Sequence, residues 1–144
     1  EIGVRLVGSE MCIRDRYWVR RPHRPGYRAR FGILLDMVGG ENAVFAREKA
    51  SLQYAPGIVD KVWKKAQSLG YGKYFSDNEG GYIIDDHVYV NKMGIPSIDI
   101  IQYDASSDSG FNPQWHTVHD TMDHIDKETL KAVGQTVLAV IYNE

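Results

Sequence analysis

The sequence lacks the features that mark several classes of protein. Its 144 residues include a single cysteine, Cys12, which permits no internal disulfide and gives no indication of redox compartment. No run of about 18 apolar residues is present, so we expect no membrane span in this chain. The formal net charge of -2 gives no overall signal for nucleic-acid binding. With 43% apolar and 25% charged residues, the expectation is one soluble domain with a substantial core.

The charge is unevenly distributed. The first thirty residues hold eight arginines and three acidic residues, whereas the rest of the chain holds nine basic and sixteen acidic residues. The stretch Ser9–Arg16 resembles translated sequencing-adapter read-through, and we interpret residues 1–16 as a non-native segment and residues 17–144 as the genuine domain. The alternative is a basic arm that binds nucleic acid or anionic lipid.

Two short apolar runs predict strands. Phe31–Val38, closed by two glycines, is typical of a strand buried on both faces of a parallel sheet, and 95–102 predicts a second buried strand. Asp36 is unusual in the first run. A carboxylate there costs several kcal/mol unless it is paired or metal-bound, although it could also cap the following turn.

Helical spacing of apolar residues predicts a helix over 53–69 that ends at Gly70, followed by an irregular connection over 71–81. Asp85 or Asp86 is a suitable N-cap for a short helix to Met93, and Asp126 for a helix over 127–142. This order of elements indicates an α/β fold with a parallel or mixed sheet.

Polar residues gather where strands and loops meet: Asp36, Asp85-Asp86-His87 and Trp115-His116. Strand ends converge on one crevice in an open α/β sheet. Two aspartates before a histidine exceed what a cap needs, since a carboxylate can orient an imidazole, or one acid can raise the pKa of another. Carboxylate and imidazole are zinc ligands, but a closed zinc site needs three or four.

The same segments carry a resemblance to a known family. The segments that carry it are Leu34–Gly39, Asp85-Asp86-His87, Trp115-His116-Thr117 with Asp120-Thr121, and Ile125-Asp126. Together they resemble the C-terminal half of metallopeptidase family 28, and most closely its bacterial glutaminyl cyclases. The resemblance implies part of a three-layer α/β/α zinc-exopeptidase fold with a mostly parallel mixed sheet, whose N-terminal half is missing.

The resemblance also implies residue roles. His116 matches the last zinc ligand, and Trp115 matches the aromatic wall beside the substrate. Asp36 matches a second-metal ligand in two-zinc aminopeptidases, but in one-zinc cyclases it joins Asp85 in a catalytic network of acids. Ile84 departs from the glutamine of animal cyclases. The other zinc ligands and the catalytic glutamate are expected upstream of this chain.

The implied function is zinc-dependent formation of pyroglutamate on peptide or protein N-termini by a glutaminyl-peptide cyclotransferase. A two-zinc aminopeptidase is the first alternative, and a zinc-less structural or binding relative is the second. Asp85 favours the cyclase because aminopeptidases commonly have a small residue there, whereas Thr117 and Asp120-Thr121 resemble the peptidase pattern. We expect this fragment alone to be inactive, to bind zinc poorly and to expose apolar surface, and the parent protein to be exported to the periplasm or cell envelope.

Overall fold

A computed structural model of the chain describes residues 17–104, 107 and 110–143. Strands and helices are interleaved, which confirms the predicted α/β class. The elements are β1 (Gly32–Asp36), β2 (Phe45–Arg47), α1 (Lys49–Tyr54), α2 (Pro56–Ser68), β3 (Phe75–Glu79), α3 (Asp86–Lys92), β4 (Ser97–Ile101), a 3-10 turn (Met122–His124) and α4 (Lys127–Tyr142).

The strands form two parallel pairs. β1 pairs with β4, so that Asp36 lies opposite Ile101, and β2 pairs with β3. An antiparallel bridge between Phe45 and Gln102 links the two pairs. The sheet is therefore mostly parallel with a mixed contact, as the resemblance implies, and β1 ends at a candidate site residue.

Helices cover both faces of β4. Ile98 and Ile100 join the apolar core with residues of α2 and α4. Asp99 between them faces the other side, and its backbone nitrogen donates to the Ser51 hydroxyl of α1 at 2.9 Å. Alternating side chains in a strand point to opposite faces, so this pattern gives three layers. The core includes Phe45, Val59, Val62, Trp63, Phe75, Ile98, Ile100 and Val133.

The predicted helix over 53–69 is wrong in its first part, because two helices meet there. Ala55 separates α1 from α2 with φ -142° and ψ 53°. Pro56 disfavours a helical conformation in the residue before it, but is tolerated as the first residue of α2. Gly70 follows α2 at φ +82°, a left-handed position typical of a helix end, as predicted.

The predicted irregular connection over 71–81 is also wrong, since it contains β3. This strand has the sequence FSDNE, and only Phe75 is buried in it. Its partner β2 has three residues. Neither strand has the apolar run or alternation that identifies strands in a sequence. The buried Trp63 fixes β3 by donating from Nε1 to the carbonyl of Ser76 at 2.8 Å.

β1 is less buried than predicted. Leu35 in the middle of the strand is 44% exposed, and β4 is the only strand paired with β1 in the described part of the chain. The prediction of exposed apolar surface is confirmed here and on α4, where Leu130 and Leu138 are also exposed. None of the helices in the described ranges is long and apolar enough to cross a membrane.

Candidate active site

Two carboxylates meet at the end of β1. Asp36 is the last residue of that strand, and Asp85 caps α3, where its Oδ1 accepts from the backbone nitrogen of Asp86 at 2.7 Å. Burial raises the pKa of Asp36, and the charge of Asp85 together with a hydrogen bond between the two side chains raises it further. Asp36 therefore binds a proton more tightly than an isolated aspartate does.

His116 lies at the exposed edge of this carboxyl pair, close to Asp36. It is exposed, and its ring stacks on that of Trp115 with centroids 4.1 Å apart. It is near enough to Asp36 that their electrostatic interaction lowers the pKa of the Asp36 carboxyl, opposing the effect of burial. The fold therefore brings Asp36, Asp85 and His116 together, as the convergence of strand ends predicts.

The backbone is unusual at both edges of the site. Met37, directly after Asp36, has φ +49°, and His116 has φ +58°. Side chains larger than glycine rarely adopt this left-handed conformation, which costs of order 1 kcal/mol. Such residues cluster at functional sites in proteins, so these two angles support a functional role for the surface between them.

A pocket of about 270 Å³ opens beside Trp115. The indole is 38% exposed and packs against Phe111 with ring centroids 4.9 Å apart. His124 lines the pocket, while His119 is exposed outside it. Trp115 therefore forms one wall of an open cavity, whose lining is Met37, Gly39, Gly40, Gln102, Asn112, Gln114, Trp115, Asp120, His124 and Ile125.

Behind the carboxyl pair lies a buried cluster of Glu48, His87 and Asp99. Each residue is at most 2% exposed. Nε2 of His87 lies 3.2 Å from Oε2 of Glu48, and its Nδ1 lies 3.9 Å from Oδ2 of Asp99. Glu48 thus lies at contact distance from the His87 imidazole, and an orienting role for the aspartates that precede His87 stays a prediction.

The sequence argument missed Glu48 and Asp99. Asp99 lies within the second apolar run, and a carboxylate in such a run is the same signal that singled out Asp36. Glu48 gave no comparable signal, because Ile83 and His87, which contact its carboxylate, are distant in the chain.

The two acids of the buried cluster have opposite shifts. Burial raises the pKa of Asp99 to about 9, with further increases from the charges of Asp85 and Asp36. Burial alone would also raise the pKa of Glu48. Contact with His87 and backbone N–H groups of Ile83, Ala50 and Ser51 outweighs it and holds the pKa at about 2. At neutral pH Glu48 is ionised and Asp99 retains its proton.

The exposed His116 and the neighbouring Asp36 provide part of a ligand set for zinc. His116 and Asp36 offer an imidazole and a carboxylate, which are common zinc ligands. No group of three or more histidine, cysteine, aspartate or glutamate residues that could hold a metal ion occurs in the described ranges. A complete zinc site would need ligands beyond these ranges.

Comparison with known proteins gives a family for this arrangement. The model of peptidase family M28 matches residues 5–141. The chain belongs to peptidase family M28. The match begins inside the first sixteen residues, which lie outside the described ranges, and their non-native origin stays a prediction.

Individual M28 proteins extend the comparison. A glutaminyl cyclase of Bacteroides thetaiotaomicron, solved with N-acetylhistamine, is 61% identical with a TM-score of 0.86 over 90% of this chain. A Zn-dependent exopeptidase of Parabacteroides distasonis is 57% identical with a TM-score of 0.89 over 90% of this chain. Aminopeptidase YwaD of Bacillus subtilis (strain 168) is 33% identical over 80% of this chain.

These relatives are longer than the chain. It spans 44% and 45% of the two solved structures and 25% of the aminopeptidase. The predicted fold, that of part of a zinc-exopeptidase domain, is confirmed by these two structures.

Proposed function

We propose that the chain is the C-terminal part of a zinc-dependent glutaminyl-peptide cyclotransferase that acts on peptide or protein N-termini. The observation that carries the proposal is the Asp36–Asp85 carboxyl pair beside His116 and the Trp115 wall, in which burial and the charge of Asp85 raise the pKa of Asp36. The similarity to solved bacterial glutaminyl cyclases supports the proposal.

In the proposed reaction, the α-amino nitrogen of an N-terminal glutamine attacks the carbon of its own γ-carboxamide. A new C–N bond closes the five-membered lactam, the old C–N bond breaks, and a proton passes from the amine to the leaving ammonia. Bound zinc, with His116 as one ligand, would supply polarisation of the γ-carbonyl.

The chain's own residues would hold a proton and shape the site. Asp36 and Asp85 would share a proton and position the acid–base glutamate that family resemblance places upstream. Trp115 would pack on the substrate and exclude water, which matters because hydrolysis is the competing outcome.

An aminopeptidase is the second candidate, supported by the similarity to YwaD. In that reaction Asp36 and His116 would bind different ions of a two-zinc pair. Thr117, which resembles the peptidase pattern, is weaker support for an aminopeptidase than the sequence indicates. Its hydroxyl donates to the Gln114 carbonyl at 2.8 Å and closes the turn of its own loop.

An assay of the full-length parent protein separates the candidates. A cyclase releases ammonia from glutaminyl peptides and liberates no free amino acid, whereas an aminopeptidase releases amino acids. We expect His116→Ala to abolish activity and zinc retention, and His119→Ala, an exposed residue of the same loop, to leave both unchanged. Amino acid release without lactam formation would reject the cyclase, and no turnover on either substrate would favour a zinc-less relative.

We also propose that this chain alone is inactive and that the parent protein is exported. Calorimetry with the purified chain should show no tight, stoichiometric zinc binding, because His116 and Asp36 provide too few ligands. Fractionation of cells that produce the parent protein should place it in the periplasm or cell envelope, and recovery in the cytoplasm would reject export.

A further inference from the structure

Glu48 has more contacts than its position as a helix cap requires. Its two carboxylate oxygens accept from the backbone nitrogens of Ala50 and Ser51, each at 2.6 Å, which caps α1. Aspartate, serine, threonine or asparagine is preferred at such a position, because a short side chain reaches these nitrogens. A longer, fully buried glutamate suggests that the carboxylate has a second task.

The additional contacts lie on either side of Asp85. Oε1 of Glu48 also accepts from the backbone nitrogen of Ile83 at 2.9 Å, and Oε2 lies 3.2 Å from Nε2 of His87. Ile83 is two residues before Asp85, and His87 is two residues after it. One carboxylate therefore contacts both ends of the five-residue segment that carries Asp85, with a hydrogen bond at Ile83 and a close approach at His87.

The backbone leading into this segment is fixed to the same region. The Lys49 nitrogen donates to the Gly81 carbonyl at 3.0 Å, and the Gly80 nitrogen donates to the Arg47 carbonyl at 2.8 Å. These contacts align the chain up to Gly81. The position of Asp85 then depends on what holds the residues that follow, and Glu48 contacts two of them.

We propose that Glu48 is a positioning residue for Asp85: by holding Ile83 and His87 together, it places the Asp85 carboxyl against Asp36. The effect of Glu48 on catalysis rests on the proposed function. Its effect on the contact between Asp36 and Asp85 can be tested without any assay of activity.

The test uses the full-length parent protein with Glu48→Asp. Aspartate is a good helix cap, so α1 keeps its cap, while the carboxylate is withdrawn by one methylene from Ile83 and His87. We expect kcat to fall about 10- to 100-fold, with KM within about twofold and zinc content unchanged, since misplacing a group by about 1 Å has effects of this size.

Val133→Ala is the matched control for lost stability. Val133 is buried in α4 and belongs to an apolar core cluster that includes none of residues 83–87, so its truncation lowers stability through that core. We expect it to lower the Tm at least as much as Glu48→Asp and to leave kcat unchanged below the Tm. Equal losses of kcat in the two variants would overturn the proposal.

Crystal structures of the wild-type and Glu48→Asp proteins give a readout that does not depend on turnover. The hydrogen bond between Asp36 and Asp85 should be lost in the variant. Retention of that bond, or a wild-type kcat despite its loss, would overturn the proposal. If the wild-type parent protein turned over neither substrate, the proposed function would fail, while the two structures would still decide whether Glu48 positions Asp85.

Discussion

Glu48, His87 and Asp99 are enclosed between β4 and the helices α1 and α3, whereas Trp115 and His116 lie on a surface loop. The enclosed residues are held by α1, α3 and β4, and their side chains have little freedom to move. Trp115 is 38% exposed and contacts mainly other residues of its own loop. Asp36 and Asp85 lie between the two regions.

The difference separates two tasks. The loop presents side chains that a substrate or metal ion can reach, and such groups can be changed at small cost to folding. The buried cluster cannot be reached, and its charges must be satisfied internally. Removing side chains of the loop should therefore affect chemistry with little loss of stability, whereas removing side chains of the buried cluster should also lower stability.

The largest expected effect compares two histidines. His87→Ala leaves the ionised Glu48 without its side-chain partner in a buried site, so we expect a loss of about 3–5 kcal/mol in the free energy of unfolding. His116→Ala removes an exposed ring and its stacking, so we expect a change of at most about 1 kcal/mol. Urea denaturation of this chain measures both, and equal losses would contradict the separation of tasks.

The second prediction concerns pH. The folded chain keeps a proton on Asp99 up to about pH 9, whereas the unfolded chain releases it near the ordinary pKa of 3.8. Asp99 therefore favours folding less and less as pH rises through this window. We expect the free energy of unfolding of Asp99→Asn, relative to wild type, to increase by about 2–3 kcal/mol from pH 5 to pH 7.

Urea denaturation at several pH values tests this prediction. Glu48 contributes in the opposite sense, because its pKa is held at about 2 instead of 4.5, so its stabilisation is complete above pH 4.5 and is lost as pH falls toward 2. The two windows barely overlap, and measurements from pH 5 upward isolate Asp99. A difference independent of pH would show that Asp99 is not buried in the protonated form.

The smallest expected effects compare two glycines. A Cβ at Gly40, on the pocket lining, would clash with Oε1 of Gln102 and lie 3.1 Å from Nδ2 of Asn112. Both are the ends of side chains that can move, so Gly40→Ala should cost at most about 1 kcal/mol. Gly134 within α4 has open space at that position, and Gly134→Ala should stabilise the chain by about 0.5–1 kcal/mol. Thermal unfolding measures both. A stabilising Gly40→Ala would show that Gln102 and Asn112 do not pack tightly against this position.

The sequence predicted best where local patterns and structure agree. The strand ending at Asp36, the strand through Ile98 and the helix capped by Asp126 follow from short apolar runs and capping chemistry. Asp126 accepts from the backbone nitrogens of Glu128 and Thr129, as a helix cap does. Asp85 caps α3, one of the two options left open by the sequence.

The misses have a common cause in contacts between distant segments. β3 is a strand although most of its residues are polar, because β2 pairs with it and the Trp63 side chain donates a hydrogen bond to its backbone. Glu48 is buried because Ile83 and His87, 35 and 39 positions later in the chain, fold against it. The proximity of Asp36, Asp85 and His116 was predictable because strand ends converge, but the roles of these residues stay predictions.

The attachment of the Trp115 loop has a consequence for protein engineering. At one end of the loop, Gln102 forms a backbone β-bridge with Phe45. At the other end, Ile125 forms a β-bridge with Gly40, and the Asp126 nitrogen donates to the Gly39 carbonyl at 2.8 Å. Both ends are therefore fastened to the same short segment after β1. We therefore expect that the loop between these attachments can be exchanged for that of another M28 protein while Asp36 and Asp85 keep their positions.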